Sequence, residues 1–284
     1  MNSQPKICDT LKALGLAPSK SRGQNFLKDH FHIQRIVGNI LEGSGPEPCL
    51  LEIGPGLGAL TLPLLEAGAN VIAVELDRGL AENLNQIAGQ YQGRLNIIHQ
   101  DILTVDPKAL ADGKPMFLCG NLPYNISSPV LFWFLQHRRC FSGARLMLQK
   151  EMTRRLTAGP GSKDYGRLSV ALSLWCRVAE VLDVPPSAFH PRPKVDSAVV
   201  AVTPLAPEEE PGVTPEVLGR FTAVAFAARR KTIFNNLSKI YGREASEQAL
   251  AKLNLAASLR AETLSPAILA ELAVILEKDY YSGN

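Results

Sequence analysis

From about residue 49 onward, short apolar runs alternate with stretches in which apolar side chains recur every three to four positions. The runs CLLEIG (49–54), NVIAVEL (70–76), LNIIHQD (95–101), PMFLCGN (115–121) and RLMLQK (145–150) are continuously apolar or rich in β-branched residues. That pattern predicts strands buried on both faces. Between them, residues 58–67, 78–89, 105–111 and 126–137 have helical spacing. Strands separated by helices predict βαβ units and a mostly parallel, doubly wound α/β sheet. Two later runs, around 176–184 and 196–203, read as further strands, and the proline-rich stretch between them suits an antiparallel hairpin at the sheet edge.

The pattern changes near residue 205. PLAPEEEPGVTP (204–215) is proline-rich and acidic, as a linker would be. Beyond it, VLGRFTAVAFAARRKTIFNNLSKI and later Ala/Leu-rich runs have helical spacing and few strand signals. Ser265-Pro266 reads as an N-cap followed by a first-turn proline. The chain therefore divides, on this reading, into residues 1–207, with 1–48 as an N-terminal segment, and a small all-helical domain over 208–284.

Composition narrows the class. With 22 glycines and 20 prolines in 284 residues, the chain is neither collagen-like nor biased towards disorder. Its apolar runs fall short of the ~18 residues that span a bilayer; the one around Val130–Leu135 ends in His137, Arg138 and Arg139. The N-terminus lacks an apolar signal core, so the expected location is the cytoplasm, away from any membrane. Five widely spaced cysteines without a C-x-x-C pair, and no H-E-x-x-H, predict free thiols and no metal site.

The net charge is only +3, but it is unevenly spread. Residues 49–137 carry 4 basic and 8 acidic side chains, whereas residues 138–196 carry 11 and 5. A basic middle can displace counterions from phosphates. Charge alone fits a solvated mixed surface equally well.

Candidate chemistry begins at Glu52-Ile53-Gly54-Pro55-Gly56-Leu57-Gly58, where the first strand turns into a helix. Glycines there allow a tight turn and close approach of a ligand. Alone, the loop would serve NAD, FAD, S-adenosylmethionine or a bare turn. The next strand ends in Glu75-Leu76-Asp77, which places a carboxylate where it can take both hydroxyls of a ribose. The third ends in Asp101-Ile102, an acid suited to an adenine amino group. The G-x-G-x-G spacing departs from the G-x-G-x-x-G of a pyrophosphate site, and acids around a cationic nucleoside are physically sensible. Glu75 as a surface acid and Asp101 as a helix N-cap are the plainer alternatives; taken together with the glycines, the two acids favour a ligand.

The fourth strand ends in Asn121-Leu122-Pro123-Tyr124. An exocyclic adenine amine is a poor nucleophile because its lone pair is delocalised into the ring. Two acceptors on its N–H groups would favour a tetrahedral nitrogen with the lone pair free. The Asn121 side-chain oxygen can be one, and the Leu122 carbonyl, held extended before a proline, the other. Pro123 stiffens the loop and adds no donor. Tyr124 offers a face for stacking, worth ~1–3 kcal/mol. For a methyl on a positively charged sulfur, positioning and polarisation are what the protein must supply.

Together these motifs resemble the S-adenosylmethionine-dependent rRNA adenine N6,N6-dimethyltransferases. Arg22-Gly23-Gln24-Asn25-Phe26-Leu27 is similar to that family's N-terminal motif, which folds over the cofactor, and Phe189-His190-Pro191-Arg192-Pro193-Lys194-Val195-Asp196-Ser197 to its late F-x-P-x-P-K-V-x-S motif. The resemblance covers roughly residues 20–240. It implies a Rossmann-like methyltransferase sheet with a C-terminal helical domain, and S-adenosyl-L-methionine as methyl donor. The implied cofactor residues are Asn25, Leu27, Gly54, Gly56, Glu75, Asp101 and Asn121. Asn121, Leu122 and Tyr124 would hold the adenine, with Phe189 closing on its other face. The implied reaction is dimethylation of two adjacent adenosines in the 3′-terminal hairpin of 16S rRNA within an immature 30S subunit, by a monomer. Arg138, Arg139, Arg145, Lys150, Arg154, Arg155 and Arg167 form the candidate RNA-backbone face, and Arg229-Arg230-Lys231 a second. Enzymes that methylate one adenosine of 23S rRNA and confer macrolide resistance share the Asn-x-Pro-Tyr loop; non-catalytic nucleic-acid-binding relatives are the other alternative.

Overall fold

The computed structural model describes residues 7–19, 23–111 and 113–282. Arg22 of the N-terminal motif lies outside them. The chain forms two compact units: residues 1–153 with 179–204, and residues 154–178 with 205–284.

In order, the elements up to the second strand of the main sheet are α1 (Ile7–Ala13), β1 (Phe26–Leu27), α2 (His30–Ser44), β2 (Cys49–Ile53), α3 (Thr61–Glu66) and β3 (Asn70–Glu75). They continue with α4 (Arg78–Ala88), β4 (Leu95–His99), β5 (Met116–Asn121), α5 (Ser127–Gln136), β6 (Phe141–Gln149), α6 (Lys150–Thr157) and α7 (Arg167–Trp175). The last are β7 (Cys176–Val184), β8 (Phe189–His190), β9 (Ser197–Pro204), α8 (Pro215–Ala225), α9 (Ile233–Tyr241), α10 (Arg243–Lys252) and α11 (Pro266–Ser282).

Seven strands make one sheet in the order β4-β3-β2-β5-β6-β9-β7. The β2–β3, β3–β4, β2–β5 and β5–β6 pairs are parallel; β6–β9 is antiparallel. The chain thus moves outward from β2 through β3 and β4, then crosses to β5 on the other side. That reversal between β2 and β5 is a topological switch point, where doubly wound sheets open a crevice at their carboxyl ends.

The predicted strands are present, with β6 starting at Phe141 rather than at 145. The helix expected over 105–111 does not form. Asp106 instead caps a single 3-10 turn, Pro107–Ala109, and Asp101 caps another, Ile102–Thr104. Two side-chain caps so close together satisfy the backbone locally and stop a helix from propagating.

Helix α2 buries Ile33, Ile36, Val37 and Ile40, the i, i+3, i+4, i+7 stripe of a core-facing helix. They join Leu50, Leu64, Val71, Phe117 and Val199 in one core. Each fully buried aliphatic side chain contributes roughly 1.5–3 kcal/mol. Gly120 on β5 has φ 153°, and a Cβ there would sit 2.5 Å from the Ile53 carbonyl oxygen. Glycine lets β5 approach the end of β2 immediately beneath the crevice.

The second unit is helical, as expected beyond the linker, but it also takes in residues 154–178, which carry the end of α6 and all of α7. Its described helices are tied by a buried carboxylate. Glu277 of α11, 5% exposed, accepts from Arg220 Nε of α8 at 3.0 Å and from the Tyr241 hydroxyl of α9. Tyr165 is buried and donates to the Leu264 carbonyl at 2.9 Å. Ser265 Oγ accepts from the Ile268 amide, so the predicted cap of α11 is in place.

Candidate active site

Beyond the end of β2 the backbone turns through Gly54 and Gly56, at φ 63° and 59°. A Cβ on Gly54 would meet nothing within 4 Å, while one on Gly56 would press on the Phe26 ring at 3.3 Å. The loop therefore leaves an open side, and that side forms part of a cavity of about 870 Å³. Asn25, Leu27, Gly54, Gly56, Glu75, Asp101, Asn121, Leu122 and Tyr124 all line it. Of the ten candidate residues in the sequence, these nine come together from five separate segments of chain.

Glu75 is buried, and its two carboxylate oxygens are tied to the loops on either side. Oε2 accepts the Gly56 amide at 3.1 Å and Oε1 the Asp77 amide at 2.8 Å. Burial raises its pKa, and these backbone hydrogen bonds partly offset the rise. Each oxygen keeps a further lone pair for a ligand hydroxyl. Asp101 likewise serves twice: Oδ1 accepts the Leu103 amide at 3.0 Å as a cap, and the residue lines the cavity.

Asn121 ends β5. Its Nδ2 donates to the Asn25 carbonyl at 2.9 Å. A carbonyl can only accept, so this contact fixes which end of the amide is which and leaves Oδ1 as the acceptor. The Asn25 side chain in turn donates to the Gly23 carbonyl at 3.1 Å, so the N-terminal motif buttresses the asparagine. The Leu122 side chain is 1% exposed, and its amide donates to the Met147 carbonyl at 3.1 Å. The Tyr124 hydroxyl lies 3.1 Å from Ser197 Oγ, which holds the ring from the far end. Burial raises the Tyr124 pKa, with the Ser197 contact opposing.

Phe189 is not brought to the wall. It is 1% exposed and belongs to the core, where β8 pairs with β1 and sets Phe189 opposite Leu27. Its neighbour His190 faces the cavity instead, with Nε2 3.1 Å from Cys8 Sγ of α1. In this arrangement the ring would have to leave the core to close on a base.

The basic residues are also partly committed. Lys150 pairs with Asp183 and approaches Glu180 at 3.7 Å. Arg145 is half-buried against the Phe117 ring at 5.6 Å, and burial lowers its pKa. Arg154, Arg155 and Arg167 are exposed, as are Arg230 and Lys231. Arg229 is tied to Glu262 at 2.9 Å and to the Lys163 carbonyl at 2.8 Å, an internal brace of the helical unit.

Glu52, which the sequence presents as the start of the loop motif, has a further place in the site. It is 2% exposed, it lines the cavity, and its Oε2 has no hydrogen-bond partner. Burial pushes its pKa up to about 7; the Thr61 hydroxyl opposes the rise and the Glu75 charge adds to it. The signal was present in CLLEI, an acid inside an otherwise apolar strand. A buried carboxyl group beside Glu75, with one oxygen left unpartnered, makes the cavity complementary to a cationic ligand, which fits a sulfonium nucleoside. Among the described residues no group of three or more His, Cys, Asp and Glu is placed to hold a metal ion, and no helix is long and apolar enough to cross a membrane.

A family model described as ribosomal RNA adenine dimethylase matches residues 17–278. The ribosomal RNA small subunit methyltransferase A of Photorhabdus laumondii is 46% identical over 250 residues, 87% of this chain and 89% of that protein. Among solved structures, a dimethyladenosine transferase from Plasmodium falciparum matches with a TM-score of 0.73 at 25% identity, covering 90% of this chain and 98% of that one. The 23S rRNA methyltransferase ErmE matches with a TM-score of 0.63 at 26% identity, covering 89% and 100%.

Proposed function

The chain belongs to the ribosomal RNA adenine dimethylase family, and from that premise we propose that it dimethylates N6 of two adjacent adenosines in the 3′-terminal hairpin of 16S rRNA. It does so as a cytoplasmic monomer on an immature 30S subunit. The methyl donor is S-adenosyl-L-methionine, which supplies a methyl group on a positively charged sulfur. The observation that carries this reading is the Asn121 amide, held so that Oδ1 is its acceptor, in the same cavity as the glycine loop and Glu75.

Gly54 and Gly56 would give the cofactor its approach, Glu75 would take its ribose and Asp101 its adenine amine, and Asn25 and Leu27 line the same cavity. Asn121 Oδ1 and the Leu122 carbonyl accept the two N–H bonds of the target amine, which draws its lone pair out of the ring. Tyr124, steadied by Ser197, carries the base. Once the nitrogen is methylated it is cationic and releases a proton to water; no general base is needed for an acid that strong. The second methyl goes to an amine with one N–H left, so one of the two acceptors then suffices.

The test is transfer of labelled methyl from S-adenosyl-L-methionine to immature small subunits, large-subunit rRNA and duplex DNA, followed by nucleoside analysis. Dimethyladenosine in the small subunit alone, lost in Asn121→Ala, is the expected result. Label in large-subunit rRNA would move the chain to the resistance type. No label anywhere, with cofactor bound, would leave a binding role.

A further inference from the structure

Phe31, on the first turn of α2, is 63% exposed, more than any other large apolar side chain among the described residues. Single exposed apolar residues are ordinary and carry no message by themselves. This one is held in place. The Arg35 guanidinium, one turn on, lies 5.5 Å from its ring centroid, and the His32 ring stands perpendicular to it with the two centroids 5.3 Å apart. His32 is itself pinned, with Nδ1 2.7 Å from Asp29 Oδ1. A free aromatic side chain would lose rotamer entropy on capturing a partner; the Arg35 and His32 contacts reduce that loss.

Its surroundings indicate the partner. Lys28 and Arg35, three residues before and four after Phe31 in the chain, are exposed, and the one acid of the segment, Asp29, is engaged by His32 and by the α2 cap. Lys28 and His30 also line the active-site cavity. The Lys28 amide donates to the Ala188 carbonyl at 2.8 Å, which ties this turn to the strand that carries His190 on the cavity wall. An aromatic ring with an arginine stacked against it, in a cationic setting continuous with a nucleic-acid active site, has the components of a single-strand stacking platform.

We propose that Phe31, backed by Arg35, is the stacking platform for an unpaired nucleobase of the RNA substrate that flanks the target adenosine. The assignment rests on the rRNA methyl-transfer reading. It makes Phe31 a determinant of RNA affinity, with no part in cofactor binding or in the methyl-transfer step.

Steady-state methyl transfer to small-subunit RNA by full-length Phe31→Ala, Phe31→Leu and Phe31→Trp tests it. Phe31→Ala and Phe31→Leu are expected to raise KM for RNA roughly tenfold, with kcat within about twofold and cofactor affinity unchanged. Phe31→Trp should retain wild-type KM, which a merely apolar contact would not require. The native Trp133 and Trp175 are buried, so the introduced indole also reports directly: its fluorescence should be quenched by single-stranded RNA and only weakly by duplex. An unchanged KM in Phe31→Ala overturns the proposal, as does Phe31-dependent dimerisation on sedimentation, which would make the ring a self-association contact. If the wild-type enzyme methylates no RNA, the functional reading fails first; an unquenched indole would then remove the platform as well.

Discussion

Glu52→Gln isolates one buried charge at the floor of the cavity. The side chain is 2% exposed, and its pKa rises from the ordinary 4.5 to about 7, chiefly through desolvation. Below pH 4.5 the carboxyl is neutral in both folded and unfolded chains and costs nothing. Between 4.5 and 7 the unfolded chain ionises while the folded one stays protonated, so stability falls as pH rises. Above 7 both are ionised and the penalty levels off at about 3 kcal/mol, from 1.36 kcal/mol per pKa unit. Glutamine keeps the shape and hydrogen-bonding character of the neutral acid without the titration. Urea unfolding of the cofactor-free proteins between pH 5 and 8.5 should show the variant gaining on wild type through this window, by up to about 3 kcal/mol at the alkaline end. Taking the difference cancels the titrating groups that do not feel Glu52; Glu75 and Cys119 do, and that coupling makes the figure an upper bound. A difference that stays flat with pH would refute the reasoning, because it would mean that Glu52 is solvated or paired. Cofactor affinity should move in the opposite direction: above pH 7 the variant lacks an anion facing a cationic ligand and should bind it more weakly than wild type does.

Three further outcomes follow from the geometry. Asn121→Asp replaces the amide that donates to the Asn25 carbonyl with a carboxylate that is repelled by it, and should lower kcat roughly 100-fold or more with a far smaller effect on cofactor Kd, read by methyl transfer and calorimetry. Gly120→Ala places a Cβ 2.5 Å from the Ile53 carbonyl oxygen at φ 153°, and should destabilise the chain by on the order of 3 kcal/mol or more on thermal unfolding. Tyr241→Phe strips a hydroxyl donor from the buried Glu277 carboxylate and should cost about 1–3 kcal/mol in urea unfolding, leaving cofactor affinity intact.

The central strands were legible because they are buried on both faces, and a continuous apolar run such as CLLEI has few other uses. The failed helix over 105–111 has a local cause that sequence also carries, Asp106-Pro107 and Asp101 as caps, which apolar periodicity does not register. Residues 154–178 group with the helical unit for a different reason. The Tyr165–Leu264 hydrogen bond joins positions about a hundred residues apart, and nothing near 154 marks it. The same limit applies to Phe189. Its composition and flanking prolines mark a loop, whereas its burial depends on β1, a two-residue strand far upstream that periodicity does not reveal.

For the acids, the plain and the functional readings proved compatible rather than exclusive. Asp101 is a cap and also a cavity wall; Glu75 braces the Gly56 and Asp77 amides and faces the same space. This double use has a physical basis. A carboxylate at the carboxyl end of a buried strand is costly unless backbone amides solvate it, and the loops that follow the strand supply those amides. Once so held, it needs no further ordering to meet a ligand, and its remaining lone pairs point where the loops do not. Glu52 lacks that backbone support, which explains both its raised pKa and its unpartnered oxygen. Of the three acids it therefore stands to change most when a cationic ligand enters, and pH-dependent cofactor binding in wild type and Glu52→Gln measures that change directly.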